Sequence, residues 1–192
     1  MKESSVGQSA PTPTQAMLPA VGRRRWLVGA VAGSATLAGL GLAWWQERST
    51  RESRQGAALW SLAFEARSGP ALQMQSFLGK PLLLNFWATW CAPCVEEFPL
   101  LDRFYRENSP KGWQVLGLAA DKLSAVDSFL ERAPVKFPVA LAGLSGIELS
   151  NALGNTAGGL PFTTIWGPTG QLLDRKMGRV TAQDLARWSA LR

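Results

Sequence analysis

The chain has 192 residues, with 20 Lys and Arg against 14 Asp and Glu, two cysteines and no histidine. That length allows one ordinary domain plus extras, and a zinc site of about four ligands would have to lean on carboxylates. The formal charge of +6 is uneven, because residues 1–58 hold 7 basic and 3 acidic residues (+4) and residues 59–192 only +2, with no basic patch interleaved with aromatics to mark a nucleic-acid surface.

Residues 1–22 are rich in Ser, Thr, Pro, Gln and Ala and predict a disordered tail. Arg23-Arg24-Arg25 then precedes an uncharged run, residues 26–45. As a helix, residues 27–45 would span about 28 Å, close to a hydrocarbon core of about 30 Å. Residues 23–45 therefore predict a transmembrane anchor. The rival is a cleaved signal peptide, for which Gly41-Leu42-Ala43 offers a small-x-small site, although such apolar regions usually run about 7–15 residues. Arg23 to Leu27 faintly resembles a twin-arginine export signal, and Gly29 and Gly33 form a small-xxx-small pair. Arg48, Arg51 and Arg54 balance the three preceding arginines, so the positive-inside count does not orient the span. Residues 46–58 read as a polar linker and 59–192 as the folded domain.

Within that domain, residues 59–64 and 71–74 flank Gly69-Pro70 and predict a short hairpin. Leu82–Trp87 is a continuous apolar strand, as at the centre of a sheet covered on both faces. A helix is predicted from about Cys94, with Val95, Phe98, Leu101 and Tyr105 on one face and Pro99 kinking it. Residues 113–119 predict a second buried strand, and 124–132 a helix turning Val126, Phe129 and Leu130 inward. An extra strand at 137–141 and a helix at 146–153 follow. Phe162–Trp166 and residues 172–176 surround Gly167-Pro168-Thr169-Gly170 as a hairpin, and Thr181 caps a closing helix through Leu191.

Both cysteines sit in Trp90-Cys91-Ala92-Pro93-Cys94, where a strand gives way to a helix. A static bridge across so short a loop stabilises little, which favours a redox pair over a structural one. Without imidazole, a copper carrier of the cysteine–histidine type is also disfavoured. Pro93 suits a first helical turn, where its missing N–H costs nothing. Cys91 then lies just before the helix start, where free N–H groups and the macrodipole favour a thiolate. Such placement can lower a cysteine pKa from about 8.5 to roughly 3.5–7.5, making Cys91 the nucleophile and Cys94 the resolving thiol. Glu97, three residues after Cys94 on the same face, could exchange a proton with that thiol or be an ordinary solvated glutamate like Glu96.

Gly79-Lys80-Pro81, together with Trp90 through Pro99, resembles the thioredoxin-like TlpA/ResA family of membrane-anchored thiol–disulfide oxidoreductases, and the likeness runs from about Leu59 to the C-terminus. The resemblance implies an α/β thioredoxin-like fold with an N-terminal hairpin and a central strand–helix insertion, preceded by one transmembrane helix. Asn85 stands where ordinary thioredoxins carry a buried aspartate. The family's active-site glutamate maps onto Glu97, and its cis-proline onto Pro161 of Gly158-Gly159-Leu160-Pro161-Phe162. That proline would leave the Leu160 backbone to bond an extended substrate segment, with Trp90 bordering the groove. Related cytochrome c maturation reductases place glutamate directly after the proline. Phe162 departs from that.

What the resemblance implies is a membrane-tethered reductase of disulfides in exported proteins, such as cytochrome or oxidase assembly clients. It would need no cofactor, would be recycled by a membrane electron-donor thiol reductase, and would place its domain in the periplasm or outside the bacterial cytoplasmic membrane. Two alternatives stay open: a non-enzymatic tethered chaperone or assembly module, and a thiol peroxidase.

Overall fold

Six consecutive buried residues, Leu82–Trp87, make a central strand, and the fold is assembled on its two faces. In this computed structural model the described residues are 56–191 together with 43, 44, 46, 47 and 50. The chain divides into two units, residues 1–46 and 47–192. Of the first, residues 43, 44 and 46 are described and helical. The predicted tail 1–22 and the span 23–45, apart from positions 43 and 44, lie outside the described residues, as does most of the linker. Among the described residues no helix is long and apolar enough to cross a membrane.

The second unit contains, in order, β1 Ala63–Ala66, β2 Leu72–Gln73, a 3-10 turn Met74–Phe77, β3 Leu82–Trp87, α1 Ala92–Asn108 and β4 Gln114–Ala119. There follow α2 Leu123–Arg132, β5 Val139–Leu141, α3 Ser145–Ala152, β6 Phe162–Trp166, β7 Leu172–Met177 and α4 Ala182–Ser189. Seven strands form one sheet in the order β2-β1-β5-β4-β3-β6-β7. β3 and β4 are parallel, as are β4 and β5; the remaining neighbours are antiparallel. The carboxyl ends of β3, β4 and β5 therefore share one sheet edge with the start of β6.

Side chains alternate along β3 with the period of two that a strand imposes. Leu83 and Trp87 enter a core with Phe98 and Leu101 of α1, Val126 and Phe129 of α2, and Leu185 and Trp188 of α4. Leu82, Leu84 and Phe86 enter a second core with Leu59, Met74, Leu116, Leu118, Phe162 and Trp166. Trp87 and Phe98 meet edge to face at 4.5 Å, fixing α1 against the sheet directly below the cysteines. The inserted β5 and α3 sit where expected, between α2 and β6. Gly146 allows α3 to approach, since a Cβ there would lie 2.9 Å from the Ala142 Cβ and 3.2 Å from that of Ala120.

Several predicted boundaries are corrected. Residues 56–60 are helical, so the first hairpin strand begins at Ala63 rather than 59. Leu59 and Trp60 are both buried, which a strand lying on one core would not allow for neighbours. The Trp60 indole donates to the Gly170 carbonyl at 3.0 Å and its ring stands edge-on to Trp166 at 5.4 Å. Met74 leaves the second strand for the 3-10 turn, its N–H donating to the Leu62 carbonyl at 3.0 Å. The strand predicted at 137–141 shortens to Val139–Leu141, because Pro138 has no N–H for a ladder and only its carbonyl pairs, with the Gly117 N–H at 2.9 Å. Trp113 stays outside β4, its N–H tied to the Asn108 carbonyl at 3.1 Å after Gly112 at φ +98°. α1 starts earlier and runs longer than predicted, continuing through Pro99 to Asn108. α4 ends at Ser189.

Candidate active site

Cys91 occupies the N-cap of α1, with Pro93 in the first turn, as its sequence position requires. The Cys91 carbonyl accepts from the N–H groups of Cys94 and Val95 at 3.0 and 3.2 Å, and its own N–H donates to Ala88 at 3.2 Å. Cys91 and Cys94 are joined as a disulfide with Cα atoms 5.3 Å apart. Cys94 is fully buried and Cys91 retains slight exposure at 5%. Trp90, immediately before, is 68% exposed.

The loop that carries them is anchored from the neighbouring strand. Asp121, just past β4, accepts from the Thr89 N–H at 2.9 Å, the Thr89 hydroxyl at 2.6 Å and the Lys122 N–H at 2.8 Å. Partial burial pushes the Asp121 carboxyl up, but hydrogen bonds from Thr89 and Lys122, with the Lys122 charge, bring it below its usual value. Sequence reasoning missed Asp121 and Thr89. The available signal was a carboxylate just past the carboxyl end of a buried strand that neighbours the cysteine strand.

Glu97 is not a solvated glutamate. It is 1% exposed, three residues after Cys94 on α1. Oε1 accepts from Asn85 Nδ2 at 2.7 Å and Oε2 from the Val180 N–H at 2.6 Å. Burial raises its pKa to about 7, against the opposing pull of the Val180 and Asn85 hydrogen bonds and the Arg179 charge. Glu96 points the other way and pairs with Arg179 at 2.6 Å, both more than half exposed. Consecutive glutamates of α1 thus grip consecutive residues, Arg179 and Val180, of the loop before α4. Asn85 projects from β3 and also donates to Thr163 Oγ1 of β6 at 3.0 Å. The roles of Val180 and Thr163 had no sequence signal.

Pro161 follows Leu160 through a cis peptide bond at the start of β6, and its carbonyl accepts from the Gly178 N–H at 2.8 Å. Neither the N–H nor the C=O of Leu160 pairs with another backbone group among the described residues. Cys91 and Trp90 follow β3, Leu160 and Pro161 precede the adjacent β6, and Glu97 lies below. The sheet therefore brings every predicted site residue to one edge. A dithiol pair at a helix N-terminus beside an unpaired backbone segment can exchange disulfides with a bound polypeptide, and a buried carboxyl near pKa 7 can hold or release a proton there.

The family model described as Redoxin matches residues 56–186. A thiol-disulfide oxidoreductase ResA of Bacillus cereus is 30% identical over 118 residues, covering 61% of this chain and 66% of that protein. The chain thus spans just under two thirds of that relative's length. Among solved structures, a thioredoxin-related protein of Neisseria meningitidis serogroup B is 28% identical with a TM-score of 0.60, covering 67% of this chain and 96% of that one. The dsbF of MTB, solved in its mixed oxidized and reduced forms, is 26% identical with a TM-score of 0.59, covering 69% and 95%. These likenesses extend over the thioredoxin-like α/β fold, and the chain belongs to the Redoxin family, in its ResA/TlpA-like branch.

Proposed function

We propose that this chain is a thiol–disulfide oxidoreductase that reduces disulfides in exported proteins, with Cys91 and Cys94 as its exchanging pair. The observation that carries the reading is their disulfide at the N-terminus of α1, about one helical turn before buried Glu97 on the same helix. In the reduced protein the Cys91 thiolate attacks one sulfur of the client disulfide and expels the other as a thiolate, forming a mixed disulfide. Cys94 gives its proton to Glu97, and its thiolate attacks the Cys91 sulfur. The second client thiolate leaves, so the client gains two electrons and the chain becomes the disulfide seen here.

Leu160, through its unpaired backbone groups, holds an extended client segment, with Pro161 and exposed Trp90 bordering it. Recycling needs a membrane dithiol donor. A tether at residues 23–45 would raise the domain's effective concentration near such a donor, with the domain on the side where disulfides form. The support for the tether is the uncharged run from 26 to 45. Cytochrome or oxidase assembly proteins fit as clients because their cysteines must be reduced before they bind haem or copper.

Replacing Cys94 by Ala removes the resolving thiol. Cys94→Ala should therefore accumulate clients covalently on Cys91, released by reductant and identified by mass spectrometry, whereas Cys91→Ala should trap none. Equal trapping by both variants, or by neither, overturns the assignment.

A further inference from the structure

Half of the Asn85 amide is unused. Nδ2 donates to Glu97 and to Thr163, while Oδ1 is buried with no hydrogen-bond partner among the described residues. Buried polar atoms in native proteins are nearly always paired, so an orphan oxygen on a fully buried amide needs a reason. Glu97 presents the complementary problem. Both of its oxygens face N–H donors, from Asn85 and Val180, which suits a carboxylate. A carboxylic acid in that setting would aim its O–H at an N–H. Yet burial brings Glu97 to about 7, where both forms are populated near neutral pH.

We propose that Asn85 is a two-way positioning residue for Glu97: its nitrogen holds the carboxylate, and a half-turn of the amide brings Oδ1 round to accept the O–H of the acid. After the turn the same oxygen accepts from the Thr163 hydroxyl, which changes from acceptor to donor; a carbonyl oxygen has two lone pairs for this. One end of the amide is unpaired in both states and at the same place, so that penalty largely cancels between them. An aspartate at this position would oppose ionisation of Glu97, and an apolar residue would serve neither form. The groups facing Glu97 are Asn85 from β3, the Val180 amide and Arg179 charge from the loop before α4, and disulfide-bonded Cys94 on its own helix. Glu96 is engaged with Arg179.

The inference rests on the proton-handling part of the proposed function. It is read on the titration of Glu97 in the oxidised protein, so it can fail while dithiol exchange stands, and the reverse. The full-length oxidised chain, isotope-labelled, would be titrated by NMR from about pH 5 to about pH 9, spanning the carboxyl's transition. The Asn85 side-chain amide signals should move with the same midpoint as the Glu97 carboxyl carbon. Asn85→Leu removes a partner from both forms, so the Glu97 midpoint should rise by no more than about one pH unit, the excess of a hydrogen bond to a charged group over one to the neutral acid. Stationary Asn85 signals through the Glu97 transition overturn the proposal, as does a rise of about two pH units or more in the variant, which would mean that Asn85 serves the carboxylate alone. The wild-type reading decides the matter alone if the variant does not fold.

Discussion

Glu97 is the residue whose chemistry the fold changes most. Its folded pKa of about 7 lies above the ordinary 4.5, with burial as the largest cause. Below pH 4.5 both folded and unfolded chains hold the proton. Between 4.5 and 7 the unfolded chain gives it up first, so stability falls as pH rises through that window and then levels off. The shift corresponds to about 3 kcal/mol lost across the window. Glu97→Gln should remove this slope, so urea midpoints of variant and wild type should diverge steadily between the two pH limits in the variant's favour. Glu96→Gln should track wild type throughout. Parallel curves for Glu97→Gln and wild type would mean that the buried carboxyl does not titrate in this range. Spacing placed Glu97 on the face of Cys94 but could not tell an active-site acid from a surface one. Burial excludes the surface reading, with Asn85 and Val180, which lie 12 and 83 residues away in sequence, bonded to its two oxygens.

At the scale of elements, two loops hold the site and a third capping interaction does not touch it. Asp121 ties the end of β4 to Thr89, one residue before Trp90, by accepting both Thr89 protons. At the other end, Thr181 caps α4 in a reciprocal box with Asp184. Asp121→Ala leaves the Thr89 N–H and hydroxyl without their acceptor, at a cost of about 1–3 kcal/mol, and loosens the cysteine loop. Thr181→Ala should cost about 1 kcal/mol through the lost cap alone. Thermal denaturation should register both, while stopped-flow thiol exchange should slow only for Asp121→Ala. Equal slowing in the two variants would show that exchange follows global stability rather than the anchoring of this loop. The cap at Thr181 was legible because capping is written in adjacent residues; the Asp121–Thr89 tie was not, because strand adjacency is a tertiary fact.

For the whole molecule the question is where the domain works. A reductase facing an oxidising compartment stays reduced only with a continual supply of electrons. Under the tethered reading, the intact protein should sediment with membranes, resist alkaline carbonate extraction and expose residues 59–192 to protease added outside the cytoplasmic membrane. Recovery as a soluble species starting near Trp44 would favour signal cleavage, and protection until the cytoplasm is opened would reverse the orientation.

The sequence by itself pointed to the proposed chemistry and determined much of the frame. Two cysteines at Cys-x-x-Cys spacing between a strand and a helix admit little besides redox exchange, and the apolar runs at Leu82–Trp87 and Phe162–Trp166 became strands with those bounds. Such features are local, set by periodicity and by which residues end or start an element. The tertiary structure alone decided what surrounds the cysteines. Glu97, Asn85, Thr163, Val180 and Asp121 meet only because the sheet stacks β4, β3 and β6 side by side and α1 is pressed onto it by Trp87 and Phe98. Burial follows from that packing, and burial moves a carboxyl to about 7. No pattern along the chain encodes it.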